Sequence, residues 1–127
     1  MARLATVTAE AGAHVVPCCF AILNGGTIVS AVDGKPKSTT ALKRLANIEQ
    51  HRNVSLVVDH YADDWSELWW VRVDGNARVI ASGKNYELAL DALANKYSQY
   101  RDHRPQGPVI AIEPLAWRSW ESSPQSR

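Results

Sequence analysis

The spacing of hydrophobic and polar residues along the chain predicts six β-strands. Apolar runs rich in β-branched residues, or alternation of apolar and polar residues, place the strands at 4–8, 14–23, 27–32, 54–59, 69–80 and 109–113. Pro17 cannot donate a ladder hydrogen bond, so the second strand is expected at an edge or a bulge. Asn24-Gly25 predicts the hairpin turn that follows. Asp74-Gly75 is compatible with another hairpin or with one long strand that contains a glycine bulge.

Two segments have the 3.6-residue periodicity of amphipathic helices. The first follows the third strand, and its apolar face is formed by Leu42, Leu45 and Ile48. The second runs from Lys84 to Tyr100, and its apolar stripe is formed by Tyr86, Leu90, Leu93 and Tyr97. Strands joined mostly by hairpins, with one helix after the third strand and another before the last, indicate a mainly-β fold. We expect an antiparallel barrel with peripheral helices.

The composition is that of one small domain with little net charge. The chain has 127 residues, 21% of them charged, and a net charge of +1, which argues against binding of nucleic acid or an acidic membrane. No apolar run is long enough to span a membrane and the first residues lack a signal-peptide core, so we expect a cytoplasmic protein. We predict a domain at residues 1–118 and a polar tail at 119–127. Such a domain is small for a complete ligand pocket, and a dimer would provide one.

The first helix has an unusual order of charges. Its front is basic, with Lys35, Lys37, Lys43 and Arg44, whereas its first acid, Glu49, stands at the far end. Because helix N-termini carry a partial positive charge, acids are favoured at the front of a helix and bases at its end. The second helix has that ordinary order. The reversal therefore indicates a local function at the start of the first helix.

A bound phosphate would explain this reversal. Free backbone N–H groups, the hydroxyls of Ser38 and Thr39, and the ammonium groups of Lys35 and Lys37 together form a suitable anion site. In the alternative interpretation, the two lysines are solvated loop charges and one hydroxyl residue only caps the helix.

Side-chain catalysts are not indicated by any motif. The four histidines, His14, His51, His60 and His103, lack the spacing of metal ligands, so no metal is predicted. Nucleophile-elbow, P-loop and dinucleotide-binding signatures do not occur. Asp63, Asp64 and Glu67 are interpreted as a solvated loop face, and the adjacent Cys18 and Cys19 as small apolar core residues. We predict no catalytic side chain, which is typical of proteins whose cofactor carries the reactive group.

Aromatic residues follow the acidic loop. Trp65, Trp69 and Trp70 are candidates for the walls of a ring or substrate site. The alternative is that they are core or dimer-interface residues.

Several segments together resemble one known family. The segment Asp33-Gly34-Lys35-Pro36-Lys37-Ser38, with Leu42-Lys43-Arg44-Leu45-Ala46-Asn47-Ile48 after it, resembles the pyridoxamine 5′-phosphate oxidase-like split-barrel family. The segments Val57-Val58-Asp59-His60-Tyr61, Asp64-Trp65-Ser66 and Leu68-Trp69-Trp70-Val71-Arg72 resemble its actinobacterial branch of coenzyme F-420-dependent enzymes. The resemblance covers nearly the whole chain. Relatives of this kind usually have a helix before the first strand, whereas this chain begins almost at the strand with Leu4.

The resemblance implies an FMN-binding-like, six-stranded split barrel that forms a homodimer with two cofactor sites at its interface. It implies that Lys35, Lys37, Ser38 and Thr39, with Pro36 among them, hold the cofactor phosphate. Val15, Val16, Pro17, Ser30 and Ala31 would flank the ring, and Trp69, Trp70 and Arg72 would come from the other subunit.

The activity implied is transfer of hydride from the C5 carbon of reduced deazaflavin to an unsaturated small-molecule acceptor. A quinone, tetrapyrrole, nitroaromatic or enone would be suitable. Three alternatives stay open at this point: an FMN-dependent oxidase or reductase of the same fold, a cofactor-binding module without turnover, and a purely structural dimer.

Overall fold

A computed structural model describes residues 1–8, 12–32 and 39–122, with only the backbone described at 39–42. The strands are β1 (Ala2–Thr8), β2 (Gly12–Cys18), β3 (Ala21–Ile22), β4 (Ile28–Ala31), β5 (Asn53–His60), β6 (Trp69–Ile80) and β7 (Val109–Glu121). The helices are α1 (Thr39–Gln50), α2 (Lys84–Lys96) and α3 (Ser98–Asp102), and a 3-10 turn spans Trp65–Glu67. Within these residues, no helix is long and apolar enough to cross a membrane.

The described strands form one antiparallel sheet in the order β2-β1-β5-β6-β7-β4-β3. The mainly-β antiparallel class is therefore confirmed. Pro17 lies on β2, at an edge of the sheet, where the missing N–H costs no hydrogen bond to a second neighbour.

The sheet has seven strands, so the predicted number of six is wrong. The segment expected as one strand at 14–23 is divided into β2 and β3 by Cys19 and Phe20. At Phe20, the backbone N–H donates to the Tyr97 hydroxyl (3.2 Å) and the carbonyl accepts from Lys96 Nζ (2.8 Å). Contacts with the end of α2 thus replace strand pairing at this point.

The predicted hairpin is confirmed between β3 and β4. The backbone N–H of Leu23 donates to the carbonyl of Thr27 at 2.8 Å, and that of Gly26 donates to the carbonyl of Leu23 at 2.9 Å. Gly26 has the positive φ of 95° that closes the loop. The residue with left-handed backbone conformation is thus Gly26, and not Gly25 of the Asn24-Gly25 dipeptide that predicted the turn.

Of the two interpretations of Asp74-Gly75, the structure has the single long strand with a bulge. Strand β6 continues from Trp69 to Ile80, and its pairing with β7 shifts register between Asp74 and Gly75. Strand β7 continues through Glu121, beyond the predicted start of the tail at 119.

Two hydrophobic clusters lie on opposite parts of the sheet. One contains Leu4, Leu56, Val73 and Ile112 and is completed by Ile48 of α1. The other contains Val29 and Val109 and is covered by the predicted apolar stripe of α2. In that stripe Tyr86, Leu90 and Leu93 are buried, while Tyr97 is half-buried at the break between α2 and α3. Helix α1 therefore lies on the first cluster, and its Arg44 lies near Ala31 at the end of β4.

Candidate functional site

Two of the residues predicted to flank a cofactor ring, Pro17 and Ala31, line one small cavity. Its volume is about 130 Å³, and its walls are completed by Met1, Cys18, Cys19, Arg44 and Tyr100. Pro17 and Cys18 are held there by pairing of β2 with the start of β1, and Ala31 is the last residue of β4. Arg44 comes from α1. The cavity therefore lies where the ends of two strands meet the first helix.

Arg44 is the unusual group in this cavity. Arg44 is only 8% exposed, although arginine is almost never buried without a partner. Its Nε atom has no hydrogen-bond acceptor, and no carboxylate of residues 1–8, 12–32 or 39–122 forms an ion pair with it. A buried, unpaired cation is energetically costly unless a ligand supplies the counter-charge. An anionic group is therefore the ligand that fits this cavity best.

Ser30 and Cys18, at or next to the lining of this cavity, are also buried. Ser30, another predicted site residue, is fully buried beside the cavity-lining Ala31. Burial raises the pKa of the Cys18 thiol, an effect that the Ser30 hydroxyl and the Arg44 guanidinium partly oppose. At neutral pH the raised pKa keeps this thiol protonated, while Arg44 and the N-terminus at Met1, which also lines the cavity, both act on it as positive charges.

The other predicted site residues lie on two different faces of the sheet. Direct pairing through β1 and β5 places Val15, Pro17, Trp70 and Arg72 on one face, which we call the outer face. Val16 and Trp69 lie on the opposite face, which carries Leu4 and Val73 of the core. Within one chain, the lining of the Arg44 cavity includes Pro17 of the outer face but none of Trp69, Trp70 and Arg72.

Arg72 already has an anionic partner. Its Nε atom lies 3.1 Å from Asp74 Oδ1, and its second guanidinium nitrogen donates to Asp74 Oδ2 at 3.2 Å. Ser55 Oγ also donates to Asp74 Oδ1, at 2.7 Å. The Ser55 hydroxyl is the main reason that the pKa of Asp74 lies below its ordinary value, with a smaller contribution from Arg72. Of these two arginines, only Arg44 lacks a carboxylate partner among the described residues.

Replacement of Ser55 by Ala should raise the pKa of Asp74 toward its ordinary value. Because the folded-state pKa is depressed, the carboxylate stabilises the fold above its unfolded pKa, and this effect is lost as pH falls through the folded pKa. Ser55→Ala should thus lower the stability above the unfolded pKa of the carboxyl and make the stability depend less on pH under acidic conditions. Carboxyl NMR titration measures the shift. In the control variant Ser66→Ala, the pKa of Asp64 should rise instead, because Ser66 is its hydrogen-bond donor. An unchanged Asp74 titration in Ser55→Ala would contradict the assignment.

Trp69 lines a second, apolar cavity of about 230 Å³. Its other walls are Phe20, Ile22, Ile28, Leu56, Val58, Val71, Val73 and Trp117. His60 is stacked on Trp69 with ring centroids 6.3 Å apart, and its Nε2 atom lies 3.8 Å from Glu67 Oε1. Trp65, on the 3-10 turn, is 71% exposed and lines neither this cavity nor the first.

Sequence reasoning placed Arg44 in the basic front of the helix but did not select it as a site residue. A signal was present, because Arg44 stands four residues before Ile48 and hence on the same, buried helix face. An arginine within an apolar helix face is the pattern that would have identified it. The predicted phosphate residues Lys35, Pro36, Lys37 and Ser38 lie outside the described residues, and Thr39 is described only by its backbone at the start of α1.

Solved structures show the same fold in other proteins. A conserved hypothetical protein of Mycobacterium tuberculosis is 18% identical, with a TM-score of 0.74 over 95% of this chain and 76% of that one. An FAD-binding protein of Mesorhizobium loti is 19% identical, with a TM-score of 0.71 over 96% and 86%. The heme storage protein HutZ of Vibrio cholerae is 14% identical, with a TM-score of 0.70 over 94% and 84%. At these identities, the similarity concerns the fold alone.

The sequence itself also identifies a family. No curated protein sequence matches the chain. The profile of the family described as pyridoxamine 5′-phosphate oxidase, in contrast, matches residues 1–121, which is nearly the whole chain. The resemblance noted at Asp33–Ser38 and in the segments that follow is thereby confirmed for the family as a whole. The protein belongs to the pyridoxamine 5′-phosphate oxidase family.

Proposed function

We propose that the protein is a cytoplasmic F-420-dependent oxidoreductase that transfers hydride to an unsaturated organic acceptor. The observation that carries this proposal is the buried Arg44 guanidinium, which lines a cavity and lacks a carboxylate partner among the described residues. When bound, the reduced deazaflavin supplies the hydride. The protein binds and orients the cofactor and excludes water from it.

In this proposal, Arg44 pairs with the phosphate of the cofactor. Pro17 and Ala31 form the wall beside it, while Lys35, Lys37, Ser38 and the start of α1 at Thr39 add charge and hydrogen-bond donors. A guanidinium is suited to this role because it donates two parallel hydrogen bonds to a phosphate and stays protonated at all relevant pH values.

The size of the cavity supports a site shared by two subunits. About 130 Å³ accommodates an anionic group, whereas pockets for whole drug-sized ligands measure about 300–1,000 Å³. The tricyclic ring must therefore be held outside this cavity. In a homodimer, Trp69, Trp70 and Arg72 of a second copy would supply the missing wall. The half-buried Trp70 and Arg72 on the outer face are compatible with that role.

An FMN-dependent oxidase or reductase is the second candidate. This candidate is supported by the solved structure of an FAD-binding protein with this fold. The same site could accept either cofactor, because FMN and F-420 both combine a phosphate with a tricyclic ring. A binding module without turnover would use the same site. Fluorescence titration with F-420 and FMN in parallel separates the two cofactors: micromolar binding of F-420 alone supports the proposal, and preference for FMN supports the second candidate. Binding of neither would contradict both, whereas tight binding without reduction of any acceptor would indicate a binding module.

The two lysines before α1 provide a direct test of the phosphate site. Replacement of both Lys35 and Lys37 by Ala should weaken cofactor binding by about 1–3 kcal/mol for each charged contact that is lost. The matched control is Lys43→Ala, because Lys43 is an exposed lysine on α1 and its removal changes the net charge in the same direction. Unchanged affinity in the double variant would exclude these lysines from the site.

A further inference from the structure

The two adjacent cysteines differ in their accessibility to reagents. Cys18 ends strand β2 and is only 7% exposed, within the core cluster. Cys19 follows the strand end and is half-buried. Both residues line the Arg44 cavity. Because β2 ends at Cys18, the two neighbours do not alternate between opposite faces of a strand and can line the same cavity. The interpretation as core residues fits Cys18, but Cys19 is more accessible than a core residue.

The cavity also has the charge that favours reaction with an anionic reagent. Arg44 is more than nine-tenths buried, lines the same cavity and has no carboxylate partner in the described part of the chain. Because Arg44 itself is largely removed from water, its positive charge attracts anions more strongly than that of a surface arginine does. It therefore draws an anionic disulfide toward Cys19, which lines the same cavity.

We infer that Cys19 is a modification site for small disulfides that carry a negative charge, and that its modification closes the cavity to anionic ligands. The Cys19 thiolate attacks one sulfur of the disulfide after its proton has passed to solvent. A bond between the Cys19 sulfur and that sulfur forms, the disulfide bond of the reagent breaks, and the other half leaves as a thiolate. Cys19 is oxidised and the reagent is reduced, and an added thiol reverses the reaction. This inference rests on the anion site that we propose at Arg44, but not on any particular cofactor.

Two reagents that differ in charge test the inference. Dithiobis(nitrobenzoate) is anionic and dithiodipyridine is neutral, and both release a coloured thiol whose formation gives the rate. For each protein we compare the rate of modification by the anionic reagent with the rate by the neutral one. This ratio should be at least about tenfold lower in the Arg44→Met variant than in the protein without the substitution. Arg44→Lys should retain most of the ratio, and Lys43→Met, which removes an exposed charge from the same helix, should leave it nearly unchanged. Circular dichroism confirms that each variant is folded.

Cysteine variants and ligand protection complete the test. Cys19→Ser should abolish the fast phase while Cys18→Ser retains it, and inorganic phosphate should slow the anionic reagent more than the neutral one. The inference is overturned if Cys18 is the residue modified, or if the rate ratio is the same in the Arg44→Met variant. A selective reaction at Cys19 in a protein that binds neither F-420 nor FMN would support the modification site and reject the proposed function.

Discussion

Replacement of Arg44 by Met is expected to weaken cofactor binding severely and to raise the thermal stability of the free protein. Loss of a buried charge that pairs with a phosphate costs about 2–5 kcal/mol, or roughly 30-fold or more in Kd. In the free protein, the same guanidinium is a buried cation without a described partner. Its removal should therefore raise the free energy of unfolding by about 1–3 kcal/mol. For a domain of this size, each kcal/mol corresponds to about 3–6 °C in Tm. Titration and thermal melting with and without ligand measure both effects.

Two control variants make this prediction specific. Lys43→Met removes the neighbouring, exposed charge and should change neither the affinity by more than a few-fold nor the Tm of the free protein. Arg44→Lys keeps the charge but loses the two parallel hydrogen bonds, so its affinity should be intermediate. A lower Tm for Arg44→Met, with unchanged affinity, would show that Arg44 is a structural residue and would contradict the proposed site.

Opposite signs of these two effects would identify Arg44 as a functional residue. A side chain that is kept only for stability should not destabilise the ligand-free protein. Side chains that bind a ligand, in contrast, commonly destabilise the protein when the ligand is absent. A bound ligand then stabilises the protein in proportion to the logarithm of its concentration relative to Kd. The melting temperature of the unmodified protein should rise with cofactor concentration, and that of Arg44→Met should stay nearly constant.

Local periodicity was sufficient to predict most of the fold. The apolar stripe of α2 and the alternation of β6 depend on residues close together in the sequence, so their elements could be predicted from it. The division of the second predicted strand could not, because it depends on hydrogen bonds between the backbone of Phe20 and the side chains of Tyr97 and Lys96. These groups are separated by more than 70 residues, and no local pattern indicates such a contact.

The candidate site was less accessible to sequence reasoning for a similar reason. Whether Arg44 faces solvent or the core depends on the rotation of α1 about its axis, which is set by packing against β1 and β6. A basic residue at the front of a helix is interpreted from its charge alone until that rotation is known. Pro17 and Ala31 were selected through family resemblance, and the structure brings them to the same cavity as Arg44.

The second large effect is expected at the bulge of the sheet, where Gly75→Ala should destabilise the protein strongly. A Cβ atom at Gly75 would lie 2.5 Å from the carbonyl oxygen of Glu113 and 2.8 Å from the Ile112 side chain. Neither can move easily, because Glu113 and Ile112 are paired with Asn76 and Ala77 of β6 and Ile112 is fully buried. Overpacking of this kind costs about 1–3 kcal/mol and occasionally more. We therefore expect Tm to fall by about 5–15 °C.

Gly25→Ala is the matched control for this prediction. Gly25 has no heavy atom within 4 Å of an added Cβ and does not have the positive φ of its neighbour Gly26. The same methyl group should therefore change stability by less than about 0.5 kcal/mol there. Urea unfolding of the two variants compares them directly. Equal losses at both positions would mean that glycine is needed for backbone freedom in general. A loss of stability at Gly75 alone would show that β6 and β7 approach too closely at the bulge to admit any side chain there. At this bulge β6 continues past Asp74 as one strand.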